Sequence, residues 1–98
     1  AACIGHGELA IRTSTARSVV LYLKMGLSLQ AACKEAIQDL NDLKTSFRGS
    51  ICLHTLDCNG NHCVVANGPA AHTYYWLWTD EMEAPEKRDA LRFEDLKA

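Results

Sequence analysis

The sequence predicts an α+β fold in which two helices pack on an antiparallel sheet. Apolar residues recur at helical spacing in two stretches of the first half, and from Gly49 the pattern changes to the alternation typical of strands. The pair Asn59-Gly60 separates two of these alternating stretches and favours a hairpin between them. Layering the helices on the sheet would bury the apolar face of each element.

The helical part divides into two predicted helices joined by a short link. The first runs from Glu8 to Lys24, and Gly26 follows it as a C-terminal cap. Ser28 is a typical N-cap for the second, which runs from Leu29 to about Leu43. The predicted buried positions are Leu9, Ala16, Val19, Val20 and Leu23 in the first helix, and Leu29, Cys33, Ala36, Ile37 and Leu40 in the second. The short link favours side-by-side packing of the two helices.

Three strands are predicted in the second half of the chain. They are Ser50–Leu56, His62–Ala66 and the aromatic-rich Thr73–Thr79. Alternation along the third strand puts Trp76 and Trp78 on one face, where we expect them in the core. The charged tail begins at Asp80, and we expect a short helix near its end, around Asp89 to Leu96.

Composition limits the class of protein. The 98 residues carry a net charge of -2 and are 48% hydrophobic, which fits one globular unit over residues 1–98. The basic residues are scattered among acids and no apolar run is long enough for a membrane span, so we expect neither nucleic acid nor a membrane as partner. Five cysteines in no familiar disulfide spacing favour a reducing, cytoplasmic compartment. Because Ala1 lies in an apolar stretch typical of a strand already under way, we expect a processed subunit or a fragment of a larger chain.

The most informative motif is Ile4-Gly5-His6-Gly7-Glu8, where an apolar stretch meets a helix between two glycines. Glycine lets another molecule approach the main chain closely, and the first turn of a helix carries free N–H groups and a partial positive charge. These features suit a carboxylate, a phosphate or a developing oxyanion. A tight strand-to-helix turn that binds no ligand explains the same residues.

Other side chains admit a functional and a structural interpretation. Cys52, His54, Cys58, His62 and Cys63 surround the predicted hairpin and include the ligand types that zinc prefers, but their spacing lacks a CxxC pair. His6 and Glu8 form a candidate acid–base pair, although Glu8 at a helix start has a sufficient electrostatic role. The hydroxyls of Thr13, Ser14 and Thr15 are expected to bond back to the helix.

Three segments in the expected order carry a resemblance to a known family. They are Gly5-His6-Gly7-Glu8, Ile11-Arg12-Thr13 and Ala31-Ala32-Cys33-Lys34-Glu35-Ala36. Together they resemble the second half of the β subunit of glycosylasparaginases, within the asparaginase and isoaspartyl-peptidase group of N-terminal nucleophile hydrolases. The likeness is good from about Cys3 to Leu40, looser through the hairpin and weak in the tail.

This resemblance implies part of a four-layer αββα sandwich, a self-cleaving precursor and a threonine nucleophile at the new N-terminus. It assigns Ile4, Gly5, His6 and Gly7 to the turn that contributes substrate contacts and the oxyanion hole, with Ile4 where the family usually has threonine. The nucleophile and the arginine and aspartate that grip the substrate would lie outside this chain. The implied partners are an N-terminal part or companion subunit, an αβ-type oligomer and an asparagine-like small molecule, with no cofactor.

The sequence therefore predicts part of an amidohydrolase that cleaves asparagine-linked amides, without turnover by residues 1–98 alone. The candidate activities are those of a glycosylasparaginase, an asparaginase or an isoaspartyl peptidase. Because Ile4 has no hydroxyl to donate, a catalytically inactive relative that acts as a binding or scaffold protein is the first alternative. A small metal-binding module built on the cysteine–histidine hairpin is the second.

Overall fold

The computed structural model describes residues 1–45, 49–69 and 74–97. The described elements, in chain order, are β1 (Ala2–Gly5), α1 (Gly7–Thr13), α2 (Thr15–Lys24), α3 (Leu29–Asn41), β2 (Ile51–Leu56), β3 (His62–Asn67), β4 (Tyr74–Leu77), β5 (Glu86–Asp89) and a 3-10 turn at Phe93–Asp95. Helices and antiparallel strands pack on one another, so the predicted α+β class is confirmed. Thr73, the first residue of the third predicted strand, lies outside the described residues.

The first predicted helix is interrupted at Ser14, so the prediction of one continuous helix from Glu8 to Lys24 was wrong. Ser14 has a φ of 49°, in the left-handed region that ends regular helices. Hydroxyls bond across the break: the Thr13 Oγ1 lies 2.7 Å from that of Thr15, and the Ser18 Oγ donates to the Thr13 carbonyl at 3.0 Å. These side-chain bonds offer the backbone an alternative to the helical pattern, which explains a break that apolar spacing does not predict.

The second predicted helix is α3, which ends at Asn41 and not at Leu43. Its predicted cap is confirmed, since the Ser28 Oγ accepts a hydrogen bond from the Ala31 N–H at 3.2 Å. All five predicted apolar positions of this helix are buried, and Ala32 joins them. α2 and α3 pack against each other, as the short link indicated.

β1, β2 and β3 form an antiparallel sheet in that order, with β2 in the centre. The β2–β3 hairpin is confirmed, and Asp57 closes its turn by accepting hydrogen bonds from the N–H groups of Asn59 and Asn61, each at 2.9 Å. Because side chains alternate along a strand, Leu53 and Val65 share the face that packs on the helices. Both are fully buried, and each such side chain contributes roughly 1.5–3 kcal/mol.

The third predicted strand does not join this sheet. β4 instead pairs with β5, Glu86–Asp89, in a separate two-stranded ribbon. The expected core position of Trp76 and Trp78 was wrong, since these side chains are 63% and 66% exposed. Strand alternation predicts which side chains share a face, but it does not determine whether another layer covers that face.

The predicted helix from Asp89 to Leu96 was also wrong, because only the 3-10 turn forms there. Leu91 uses its backbone to extend the edge of β3: its N–H donates to the Val64 carbonyl, and its carbonyl accepts from the Ala66 N–H, each at 2.8 Å. Backbone groups engaged with a strand edge are not available for a helical ladder. No helix among the described residues has both the length and the apolar character needed to cross a membrane.

Candidate functional site

The bend between β1 and α1 is built on a glycine that no other residue can replace without strain. Gly5 has a φ of 135°, and a Cβ added there would lie 2.1 Å from the Ser50 carbonyl oxygen. Side chains disfavour this backbone region, and the space they would need is filled by main chain of the neighbouring strand. Gly5 therefore brings β1 and the start of β2 into unusually close approach.

Gly7, the second glycine of the motif, has a different role. It is the first residue of α1, and a Cβ at this position would meet nothing within 4 Å. Neither space nor a positive φ requires glycine at this position. The two glycines are thus not equivalent, and only the first shapes the bend.

Two hydrogen bonds between His6 and Ser50 connect the bend to the start of β2. The His6 N–H donates to the Ser50 carbonyl at 3.0 Å, and its ring nitrogen Nδ1 accepts from the Ser50 N–H at 2.8 Å. A ring nitrogen that accepts carries no proton, so the neutral ring bears its proton on Nε2. The ring lies so close to Gly49 that a Cβ there would sit 2.7 Å from it. His6 is therefore part of the packing that holds the bend.

The N–H of Gly5 is turned away from the rest of the sheet. In an antiparallel pair, residues alternate between those that bond to the partner strand and those that do not. The bond from the His6 N–H to the Ser50 carbonyl places these two residues in the bonded class, so Gly5 belongs to the other class. Among the described strands β1 pairs only with β2, which leaves this donor at an open sheet edge.

Ile4 projects from the face of the sheet opposite the helices. It pairs in register with Cys52 and is 64% exposed, whereas Cys52 is buried beside it. On the same face, at the far end of β2, Leu56 is 66% exposed. An exposed isoleucine next to an open main-chain donor gives this edge an apolar side chain and a polar backbone group together.

The helix behind the bend is shorter than predicted. α1 has only seven residues, and its first turn carries the exposed carboxylate of Glu8. A helix of two turns places fewer aligned peptide dipoles behind the bend than the predicted continuous helix would. The candidate oxyanion donor therefore depends on the geometry of Gly5 more than on a helix dipole.

The thiols near the bend are not activated nucleophiles. Burial raises the pKa of Cys3 above its ordinary value, and burial also raises the pKa of Cys52. Because the thiolate is the reactive form, these two residues remain unreactive thiols at neutral pH. Neither thiol is therefore a candidate nucleophile for a substrate at this edge.

A cleft of about 630 Å³ lies near the bend but does not include it. Leu9, Gly49 and Ile51 contribute to its wall, whereas the four residues predicted for the oxyanion and substrate site do not. The cleft lies on the helix side of the sheet, where Leu9 and Ile51 belong to the core. The Gly5 donor and this cleft are therefore separate features.

The cysteine and histidine residues of the hairpin are divided between two faces. Cys52, His54 and His62 share one face, Cys63 lies on the other, and Cys58 is exposed in the turn. Over residues 1–45, 49–69 and 74–97, no three histidine, cysteine, aspartate or glutamate side chains form a group able to hold a metal ion. His62 instead contacts the hydroxyl of Tyr75 through Nε2 at 3.1 Å.

Sequence reasoning missed the partners of the bend. Gly49 and Ser50 precede β2 and supply the space and the hydrogen bonds that hold Gly5 and His6. A Gly-Ser pair directly before a predicted strand was the available signal, but its link to a motif 44 residues earlier is a tertiary contact.

Comparison with known proteins places this α+β chain in a family. The family described as asparaginase matches residues 1–84. A plant-type L-asparaginase from Pyrococcus furiosus is 33% identical over 88 residues, which are 88% of this chain and 27% of that protein. The chain therefore belongs to the asparaginase family, and the resemblance found in the sequence is confirmed. It spans about a quarter of the length of that relative. No solved structure matches the chain.

Proposed function

We propose that this chain supplies the oxyanion-binding edge of an amidohydrolase that cleaves asparagine-type amides. The observation that carries the proposal is the Gly5 N–H, a main-chain donor held at an open sheet edge in a chain of the asparaginase family. Ile4, His6 and Gly7 complete the proposed substrate wall around this donor. The attacking threonine is proposed to lie outside residues 1–98.

The reaction follows from the chemistry of an amide. A threonine hydroxyl attacks the side-chain carbonyl carbon, and the carbonyl oxygen becomes an oxyanion that the Gly5 N–H stabilises. Collapse of this intermediate expels the amine and leaves an acyl-enzyme, which water then hydrolyses to a carboxylate. A donor placed before the reaction is worth about a hundredfold to a thousandfold in rate.

Ile4 limits the number of hydrogen-bond donors that this edge can offer to an oxyanion. Its side chain has no hydroxyl, so the second donor that threonine provides in the family is missing. The proposed site would therefore work with fewer donors, and a slow enzyme or one with a different substrate preference is expected. Glycosylated asparagine, free asparagine and isoaspartyl peptides are the three proposed substrate classes.

Exposed apolar side chains on the opposite face of the sheet support the proposal that further polypeptide packs there. Ile4 and Leu56 expose large apolar side chains on the face that carries no helices. Exposed apolar groups on one face are typical of a surface that meets another layer. We propose that an N-terminal part or companion subunit covers this face and completes the αββα sandwich. Self-cleavage of a common precursor would separate it from this chain, and the two would assemble as an αβ-type oligomer.

The test uses the protein expressed from its complete gene, assayed on L-asparagine, a β-aspartyl dipeptide and aspartyl-glucosamine. We expect slow hydrolysis of at least one substrate. Ile4→Thr should raise kcat on that substrate roughly tenfold or more because it adds a donor at the oxyanion. Ile4→Val, which is also β-branched but has no hydroxyl, is the matched control and should give no such increase in kcat. Equal effects of the two substitutions would contradict the assigned role of this edge.

A binding or scaffold role is the second candidate, favoured by the absent hydroxyl at Ile4. If neither the unsubstituted protein nor Ile4→Thr hydrolyses any of the three amides, this role replaces the enzyme proposal. Binding of the same compounds, measured by calorimetry, then separates a substrate-binding relative from a scaffold with no ligand at this edge.

A further inference from the structure

We propose that Cys33 and Cys63 form a peroxide-sensitive dithiol site that closes to a disulfide joining α3 to β3. The proposal is independent of the proposed hydrolase activity, because these residues lie on the helix side of the sheet, away from the Gly5 edge. It rests on an arrangement of three buried side chains that no part of the hydrolase proposal uses.

Thr55 brings the two cysteines together in the core. The Cys33 Sγ lies 3.2 Å from the Thr55 Oγ1, and Thr55 is the direct cross-strand partner of Cys63. Directly opposite residues on one face of a sheet have their Cβ atoms only about 5 Å apart. Both thiols belong to the same core cluster, with 0% and 3% of their surface exposed. The two sulfur atoms therefore share one small volume between the helix and the sheet.

The hydrogen bonds determine where the protons lie. The Thr55 hydroxyl donates its single proton to the Cys63 carbonyl at 2.7 Å, since a carbonyl can only accept. In its contact with Thr55, the Cys33 thiol must then act as the donor. This order makes the two cysteines chemically different.

The pKa values of the two thiols shift in opposite directions. Interaction with the neighbouring Cys63 thiol lowers the pKa of Cys33 below its ordinary value, although burial opposes this shift. The same interaction with Cys33, together with burial, raises the pKa of Cys63. Cys33 is thus the thiol that ionises first and Cys63 the thiol that keeps its proton, which is the division of roles in an oxidisable pair.

The reaction consumes one peroxide for each disulfide. The Cys33 thiolate attacks hydrogen peroxide, the O–O bond breaks, and a sulfenic acid and hydroxide form. The Cys63 sulfur then attacks the sulfenic sulfur, forming the S–S bond, and the displaced hydroxyl leaves with the Cys63 proton as water. Peroxide is reduced to water and two thiols are oxidised. Because both thiols are buried, the reaction proceeds through local opening of the contact between α3 and β3.

The experiment maps the disulfide in the complete gene product after treatment with hydrogen peroxide and blocking of free thiols. Trypsin releases residues 25–34, which contain Cys33, and residues 49–87, which contain three cysteines. A second cut before Asp57 separates Cys52, and a Cys58→Ser background removes the remaining ambiguity. We expect a cross-linked pair of peptides containing Cys33 and Cys63, lighter by two hydrogens than the separate peptides. Separate oxidation of the two thiols, or no oxidation of either in the folded protein, would overturn the proposal.

Substitutions test the roles within the pair. The link should persist in Cys52→Ala, which removes a buried thiol from the opposite face, and disappear in Cys63→Ala. In Cys63→Ala, dimedone should trap the sulfenic acid on Cys33, whereas in Cys33→Ala it should not label Cys63. The reverse labelling would overturn the assigned order. If these variants fold poorly, the peptide map of the protein that retains both cysteines still decides whether the disulfide forms.

Discussion

The imidazole of His6 takes the place of its own carbonyl as the acceptor for the Ser50 N–H. A regular antiparallel ladder would direct this N–H to the His6 carbonyl, but that carbonyl accepts from Leu9 at 3.1 Å as α1 begins. The ring nitrogen Nδ1 supplies the missing acceptor at 2.8 Å. Because the ring is the acceptor, the chain passes from the strand to the helix at His6 alone. The N–H of the buried Ser50 still has a hydrogen-bond acceptor.

Removal of that acceptor is predicted to destabilise the bend. His6→Ala leaves the Ser50 N–H without this partner and should lower the free energy of unfolding by about 1–2 kcal/mol. His6→Asn keeps an acceptor oxygen on the atom that carries Nδ1 in histidine, so it should lose less than half as much. Urea midpoints of the two variants measure the difference. Equal losses would show that the ring packs against Gly49 without a useful hydrogen bond.

The two glycines of the motif are predicted to respond in opposite directions to alanine. Gly5→Ala forces a Cβ against the Ser50 carbonyl at a φ of 135°, so it should cost more than about 2 kcal/mol and reduce any hydrolytic activity. Gly7→Ala adds a methyl group in open space at the first position of a helix, and it should be neutral or stabilise by up to about 1 kcal/mol. Thermal unfolding of both variants under the same conditions is the measurement. A loss in Gly7→Ala as large as that in Gly5→Ala would contradict the assigned roles.

The hydroxyl of Thr55 is predicted to matter more than its methyl group. Thr55→Val preserves shape but leaves the Cys63 carbonyl and the Cys33 thiol without this buried partner, which should cost about 1–3 kcal/mol. Thr55→Ser keeps the hydroxyl and loses one methyl group, worth about 0.8 kcal/mol. Denaturant unfolding should therefore rank the serine variant as the more stable. The opposite ranking would show that packing, and not the hydrogen bond, dominates at this position.

The hairpin turn is predicted to weaken in acid because of Asp57. Hydrogen bonds from the side chain and backbone of Asn61 and from the Asn59 N–H lower the pKa of Asp57 below its ordinary value. A group with a lowered pKa in the folded state stabilises the protein above its unfolded pKa, near 4, and this stabilisation disappears as pH falls through the folded value. Urea unfolding at pH 7 and pH 3 should show this loss in the unsubstituted protein and a smaller loss in Asp57→Asn.

Asp80→Asn provides the matched control for that pH measurement. Asp80 is exposed, and in the part of the chain that the structure describes it makes no hydrogen bond or ion pair. Its substitution should leave the difference between pH 7 and pH 3 unchanged. If Asp80→Asn reduced the acid loss as much as Asp57→Asn, general charge and not the turn would be responsible.

Local signals predicted much of the fold because their causes lie within a few residues. The cap at Ser28, the apolar face of α3 and the turn after β2 all depend on neighbours in sequence, and each is confirmed. The break at Ser14 is local as well, but apolar spacing does not report the hydroxyl contacts that stabilise it. The prediction failed there because a competing set of side-chain bonds replaced the helical pattern.

By itself the sequence determined the α+β class, the positions of the glycine bend and the hairpin, and membership of the asparaginase family. Only the tertiary structure decided that β4 pairs with β5, that Trp76 stays exposed, and that the Gly5 N–H points to an open edge. The same holds for the contact that joins Cys33 to Thr55. Turns and caps depend on residues a few positions apart, whereas strand partners and buried contacts depend on residues brought together only when the chain folds.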